Sequence, residues 1–274
     1  MATAPRPRYW ADLKTTDFAQ LDAARTVAVL PVGATEQHGP HLPLAVDRAL
    51  VDAMVAGALR RIGDDLPVLV LPTQAVGYSP EHSRFAGTLT LPAATVIKTW
   101  VALGQCVAAA GVKKLLIFNA HGGQVSLLDI VARELRTRAE MIVYGCSWWN
   151  LPLGAEVEGL FSADEHRFGV HAGEIETSLM LALDPAHVDM QRARNFPSTS
   201  QDRAARYPVL GNGKSAKLGW HMQDYNAEGA AGNAAAATAA KGQRVLDAAC
   251  EQLALLLQEI SELPLSTVAP RPAA

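Results

Sequence analysis

A chain of 274 residues, 49% hydrophobic and 19% charged, can bury a full core and has the composition of an ordinary globular protein. Its net charge of −3, with no Lys/Arg stripe interleaved with aromatics, excludes the electrostatic footprint of a nucleic-acid-binding protein. No apolar stretch approaches the ~18 uninterrupted residues of a membrane span, and "MATAPRPRYWADL" has no apolar signal core, so a cytoplasmic protein is expected.

In chain order, "TVAVLPV" (Thr26–Val32) is a predicted strand, followed by the loop "GATEQHGPHLPLAVD" and a helix over Asp47–Gly63 with Gly63 as its stop. Pro67–Pro72 is the next strand, and a loop runs through Pro92. Ala93–Gly111 reads as a helix, Lys113–Ala120 as a strand, Val125–Glu140 as a helix and Met141–Cys146 as a fourth strand. The strands are continuous apolar runs, which fits a sheet covered by helices on both faces, and their alternation with helices implies right-handed crossovers and a mostly parallel sheet. Glu174–Leu183 is a further helix, and residues 185–232 resist assignment. Asn233 is placed as the cap of a long C-terminal helix over about 233–263, whose Ala-rich first half suits close packing. The expectation is one α/β domain over 1–274, a three-layer α/β/α arrangement, with no repeat or linker marking a second domain. Cys106, Cys146 and Cys250 are expected to be buried thiols, not thiolate metal ligands.

Ligands of such sheets collect beyond the carboxyl ends of the strands, so the strand-to-helix loops are where chemistry belongs. The first loop holds Glu36, His38 and Asp47, a cluster suited to a cation, although Asp47 alone also fits a helix cap. The third strand ends in "FNAHGGQ", with His121 beside Gly122–Gly123, a pair that permits a tight turn and close approach to a ligand. "HAGEIETS" brings His171, Glu174 and Glu176 to a helix start; the two acids point roughly opposite ways on an ideal helix, so one of them is expected to face the site. The loop "GYSPEHSRFAGTLTLP" carries Ser79, Glu81 and His82, read as substrate-facing, and Trp148 is a candidate pocket wall. His and carboxylate donors without thiolate suit Zn, Mn or Fe in a hydrolytic centre. No GxSxG elbow, GxGxxG or P-loop is present.

With "GATEQHGPHLPLAVD", "EHSRFAGTLTL", "NAHGGQ" and "HAGEIETS" in that order, the sequence resembles the creatininase (creatinine amidohydrolase) family up to about residue 240. The resemblance implies a three-layer α/β fold, a homo-oligomer (a hexamer in the family) and two divalent metal ions per subunit, Zn and/or Mn with Fe as a further option. By motif, Glu36, Asp47 and His121 would hold one ion; His38, a bridging Asp47 and a further carboxylate would hold the second. Creatininase proper carries Tyr and then Glu after the His of the third motif, where this chain has Gly122 and Gly123, and Glu176 is the expected replacement. Arg167 stands where creatininase has its aromatic lid residue, so Arg167, Ser79, His82 and Trp148 are assigned to substrate binding and creatinine is not the expected substrate. His171 is the expected general acid.

The implied activity is metal-dependent hydrolysis of a C–N bond in a small cyclic or linear amide. The alternatives are a peptidase or ring-opening hydrolase of the same fold, acting on a peptide C-terminus or cyclic ketone, and a non-catalytic, metal-free scaffold.

Overall fold

The computed structural model describes residues 7–270, so the expected domain of 1–274 extends at both ends beyond the described residues. The elements in chain order are β1 (Val27–Val32), α1 (Val46–Leu59), β2 (Val68–Val70), α2 (Ala93–Ala109), β3 (Lys114–Asn119), α3 (Val125–Ala139) and β4 (Ile142–Ser147). The short α4 (Ala155–Glu158) and α5 (Ala163–Phe168) precede α6 (Glu174–Leu183), β5 (Asn195–Phe196), α7 (Thr199–Arg206), α8 (Met222–Tyr225), β6 (Gly232–Asn233) and the long α9 (Ala239–Glu262). The sheet is four-stranded and wholly parallel, in the order β2-β1-β3-β4.

Alternation along each strand divides the apolar residues between two cores. Val27 and Val29 of β1, with Leu116 and Phe118 of β3, pack against α1, α6 and α9 through Leu50, Met54, Leu179 and Leu253. Ala28, Leu30, Leu115 and Ile117 face the other way, onto Trp100 of α2 and Val131 and Leu135 of α3. This is the helix–sheet–helix sandwich that continuous apolar strands require. Helices α9 and α6 approach closely: a Cβ on Gly242 would stand 1.8 Å from the Ser178 carbonyl oxygen. Only glycine permits that contact.

Several boundaries differ from the sequence expectation. Helix α1 ends at Leu59 instead of Gly63, closed by a tight turn in which the Arg61 amide donates to the Ala58 carbonyl at 2.9 Å. Asn233 does not cap the last helix. Its amide belongs to β6 and donates to Glu165 Oε2 at 2.8 Å, while Thr238 caps α9 by accepting from the Lys241 amide. Strand β4 is an edge strand with Tyr144 exposed, and of the cysteines Cys250 alone is fully buried, Cys106 being exposed on α2. The unassigned region 185–232 contributes β5, α7 and α8, tied back by an antiparallel β5–β6 ribbon. Among the described residues, no helix is long and apolar enough to cross a membrane.

Candidate metal centre

The loops after β1 and β3 leave adjacent parallel strands at the same edge of the sheet, and the start of α6 closes over them. A cavity of about 470 Å³ lies there, lined by Glu36, Asp47, Glu81, His82, His121, Trp148, His171 and Glu176 among others.

Four polar anchors orient the histidines. His121 Nε2 lies 2.9 Å from the Tyr78 carbonyl oxygen, which can only accept, so Nε2–H donates and Nδ1 faces Glu36 and Asp47. By the same reasoning His38 donates Nδ1–H to the Glu36 carbonyl at 3.0 Å, and His171 donates Nε2–H to the Gln37 carbonyl at 2.7 Å. His82 shares the Nε2–H tautomer of His121 and His171 but is anchored through its other nitrogen, so its N–H turns toward the cluster. The Gln37 amide is fixed by the Gly39 N–H on its oxygen and the Gly229 carbonyl on its nitrogen, so it donates to His82 Nδ1 at 2.7 Å. His82 therefore presents an N–H, not a lone pair, toward Glu36 Oε1 at 3.4 Å. Anchoring one ring nitrogen to free the other for a cation is the usual outer arrangement of a metal-binding histidine.

The freed donor atoms converge. His38 Nε2 lies 3.3 Å from Asp47 Oδ1, and His121 Nδ1 lies 3.2 Å from both Asp47 Oδ2 and Glu36 Oε1. Such spacings match the edge of a tetrahedron whose metal–ligand bonds are ~2.0–2.1 Å, which is ~3.3–3.4 Å. Glu36 Oε2, His38 Nε2 and Asp47 Oδ2 are buried and have no aligned hydrogen-bond partner. Orphaned atoms of this kind are costly unless a cation satisfies them. The two carboxylate oxygens of Asp47 face different histidines, which is the geometry of a bridge.

Glu176 joins His38 and Asp47 in one potential ligand group, whereas Glu174 turns away to pair with Lys241 of α9. Glu176 also accepts from the Ala172 amide at 2.5 Å, holding a non-glycine residue at φ +52°. Burial, reinforced by Asp47 and Glu36 against the opposing pull of His38, pushes the Glu176 carboxyl up to about 7. Burial also opposes charge on His38, but Asp47, Glu176 and Glu36 outweigh it and push the imidazole up to about 9. His121 is raised well above its ordinary value as Glu36 and Asp47 overcome burial. Burial, with His38 charge nearby, holds His171 well below its ordinary value. The cluster thus attracts positive charge, and His171 stays neutral beside it.

Of the residues assigned to substrate, His82 and Trp148 line the cavity. Ser79 does not: it is fully buried behind His121, with Oγ 3.1 Å from Nε2, because the turn at Pro80 directs it inward. Arg167 is also absent from this wall; its Nη2 donates to the Gly211 carbonyl at 3.0 Å in a neighbouring groove. Asp47 falls in the first turn of α1 but makes no cap, the N-cap residue being Ala45.

Glu81 and Asn119 are the members that sequence reasoning undervalued. Asn119 accepts from the His121 amide at 3.0 Å and donates to its carbonyl at 2.8 Å, fixing the loop. Glu81 Oε1 approaches His121 Nε2 to 3.4 Å and shares a potential ligand group with Glu36 and His121. A Cβ on Gly123 would stand 1.7 Å from that same oxygen, and Gly123 does not use the left-handed backbone. This glycine is needed for space, not for a turn, because Glu81 and His121 Nε2 occupy the volume its side chain would fill. The neighbouring Gly122 faces open space. Gly123→Ala is expected to cost about 1–3 kcal/mol by overpacking and to lower activity, whereas Gly122→Ala changes neither. In a double-mutant cycle on melting temperature, Gly123→Ala should cost less once Glu81→Ala has removed the nearer clash, the 2.6 Å approach to His121 Nε2 remaining; strict additivity would refute the pairing.

Comparison with known proteins agrees with this geometry. Residues 11–257 match the family model Creatininase, described as creatinine amidohydrolase. The chain belongs to the creatininase family, a family of hydrolases. It is 33% identical over 243 residues to the mycofactocin precursor peptide peptidase of Mycobacterium tuberculosis, covering 86% of each chain. To the creatinine amidohydrolase of Pseudomonas putida it is 32% identical over 208 residues, 70% of this chain and 77% of that one. Among solved structures it is similar to a manganese creatininase at TM-score 0.74 and 28% identity, covering 97% of this chain and 100% of the other. Zinc forms of creatininase are also among the similar structures.

Proposed function

We propose that the protein is a metal-dependent amidohydrolase with two divalent ions between Glu36, His38, Asp47, His121 and Glu176. The observation that carries this reading is the set of buried donor atoms 3.2–3.3 Å apart, of which His38 Nε2 and Asp47 Oδ2, like the neighbouring Glu36 Oε2, have no hydrogen-bond partner. Two ions held there would supply Lewis-acid polarisation of an amide carbonyl and a water of lowered pKa. The chain's own residues do the rest. His171, neutral and anchored through Nε2, presents Nδ1 toward the cluster 3.9 Å from Glu36 Oε1, where it can relay a proton to the leaving nitrogen. The N–H of His82 faces Glu36 and restrains its carboxylate. Trp148 contributes an apolar wall with an unpartnered indole N–H.

A peptide substrate is the second reading, favoured by similarity to the mycofactocin peptidase over 86% of the chain. A metal-free scaffold would have no use for three orphaned buried donors. The test is hydrolysis of a panel of short peptides, formamides and cyclic amides, creatinine included, by chelator-treated protein before and after Mn²⁺ or Zn²⁺ is restored. Activity that appears only with metal supports the proposal. Equal activity in the chelated protein, or none on any amide with the metal bound, would contradict it.

A further inference from the structure

A second cavity of about 310 Å³ adjoins the metal cavity, the two sharing Val170 and Trp220 as common wall. Its lining is unlike the first. Arg167 of α5, Arg203 of α7 and Lys217 all contribute to it, and no carboxylate does. Arg203 Nη1 donates to Thr199 Oγ1 at 3.0 Å, but its Nη2 is buried without any hydrogen-bond partner. The guanidinium carbon lies 4.9 Å from the centre of the Tyr225 ring, which holds the fork in place. Arg167 and Lys217 are exposed at the rim with no carboxylate in the lining, and a buried guanidinium nitrogen without a hydrogen-bond partner is costly. An anion accepting from that nitrogen would remove the cost. An arginine fork also matches the paired oxygens of a carboxylate or phosphate.

An aromatic path joins this groove to the cluster. The His82 and Trp220 ring centres are 6.3 Å apart, and Trp220 and Tyr225 are 4.7 Å apart. We infer that the second cavity is an anion subsite: the substrate hydrolysed at the cluster carries a carboxylate or phosphate group that Arg203 receives, with Arg167 and Lys217 beside it. The part of the substrate between its two ends lies along Trp220 and Tyr225. The term substrate rests on the hydrolase reading above; the anion site itself does not.

The test is a titration with glutarate and, separately, with inorganic phosphate. Since metal ions also bind anions, each is run on the Asp47→Ala protein as well as on the metal-loaded enzyme. Saturable binding of at least one anion is expected in both, weakened about tenfold or more by Arg203→Gln and lost in Arg167→Gln/Arg203→Gln/Lys217→Gln. Arg203→Lys, which keeps the charge but loses the fork, should fall between them. Binding of phosphate alone would make the group a phosphoryl one, and binding of glutarate a carboxylate. No saturable binding of either anion to the Asp47→Ala protein, or equal affinity in the triple variant, would overturn the assignment. Because the readout is binding, a failure to hydrolyse any amide would count against the proposed function and not against this subsite.

Discussion

Asp47→Ala is expected to abolish hydrolysis and to remove both metal ions, leaving a folded protein. Asp47 presents Oδ1 to His38 at 3.3 Å and Oδ2 to His121 at 3.2 Å, so on the proposed two-ion reading its loss would take a ligand from each ion at once. Loss of the metals forfeits several kcal/mol of transition-state stabilisation, on the order of a 10³-fold drop in rate or more. The fold should persist because the helical packing of α1 rests on Leu50, Val51 and Met54, which face the core independently of Asp47. His121→Ala should strike the Glu36 side of the cluster hardest and also lower metal content. Metal analysis and circular dichroism on both variants decide the matter. Full metal occupancy in both would remove these residues from the ligand set.

Glu176→Gln and Glu174→Gln should behave as opposites although the residues are two apart. Glu176 shares a potential ligand group with His38 and Asp47, and its amide replacement can still accept from the Ala172 N–H. The substitution therefore removes charge from the cluster with little change in packing. It should lose about one ion per chain and most of the activity. Glu174 pairs with Lys241, so Glu174→Gln should leave metal content intact while weakening the attachment of α9 to α6. With Lys241 partly exposed and the glutamine oxygen still able to accept, that loss should be about 0.5–1 kcal/mol, a fall of a degree or two in melting temperature. Metal loss in Glu174→Gln but not in Glu176→Gln would move the ligand to the neighbouring acid.

The order of strands and helices was legible because each strand is a short, mostly apolar run and each flanking helix has a matching stripe. The parallel sheet follows from that alternation. Helix ends were less legible. Thr238 caps α9 because Asn233 was already committed to β6 through Glu165, a partner 68 residues away that no local pattern records. Residues 185–232 stayed unread since their short elements are held by contacts with distant segments, such as the Asp189 amide donating to the His41 carbonyl at 2.9 Å.

In the site, Glu36, His38, Asp47, His121 and Glu176 were legible as unusual donors at strand ends, and the structure brings them together. Their assignment to two ions came from the family resemblance, not from spacing. Ser79 was misplaced because a loop residue carries no periodicity that reports which way it faces, and Arg167, on the short helix α5, lines the adjoining groove instead of the metal cavity. Ser79 turned inward to His121. The role of Gly123 was hidden because the carboxylate filling its space comes from Glu81, 42 positions earlier.

The most direct measurement is anomalous scattering at the metal edge from crystals of protein loaded with Mn²⁺ or Zn²⁺. Two peaks are predicted in the cluster, one among Glu36, Asp47 and His121 and the other among His38, Asp47 and Glu176. Absence of any peak among these five side chains, with metal bound elsewhere or not at all, would contradict the account.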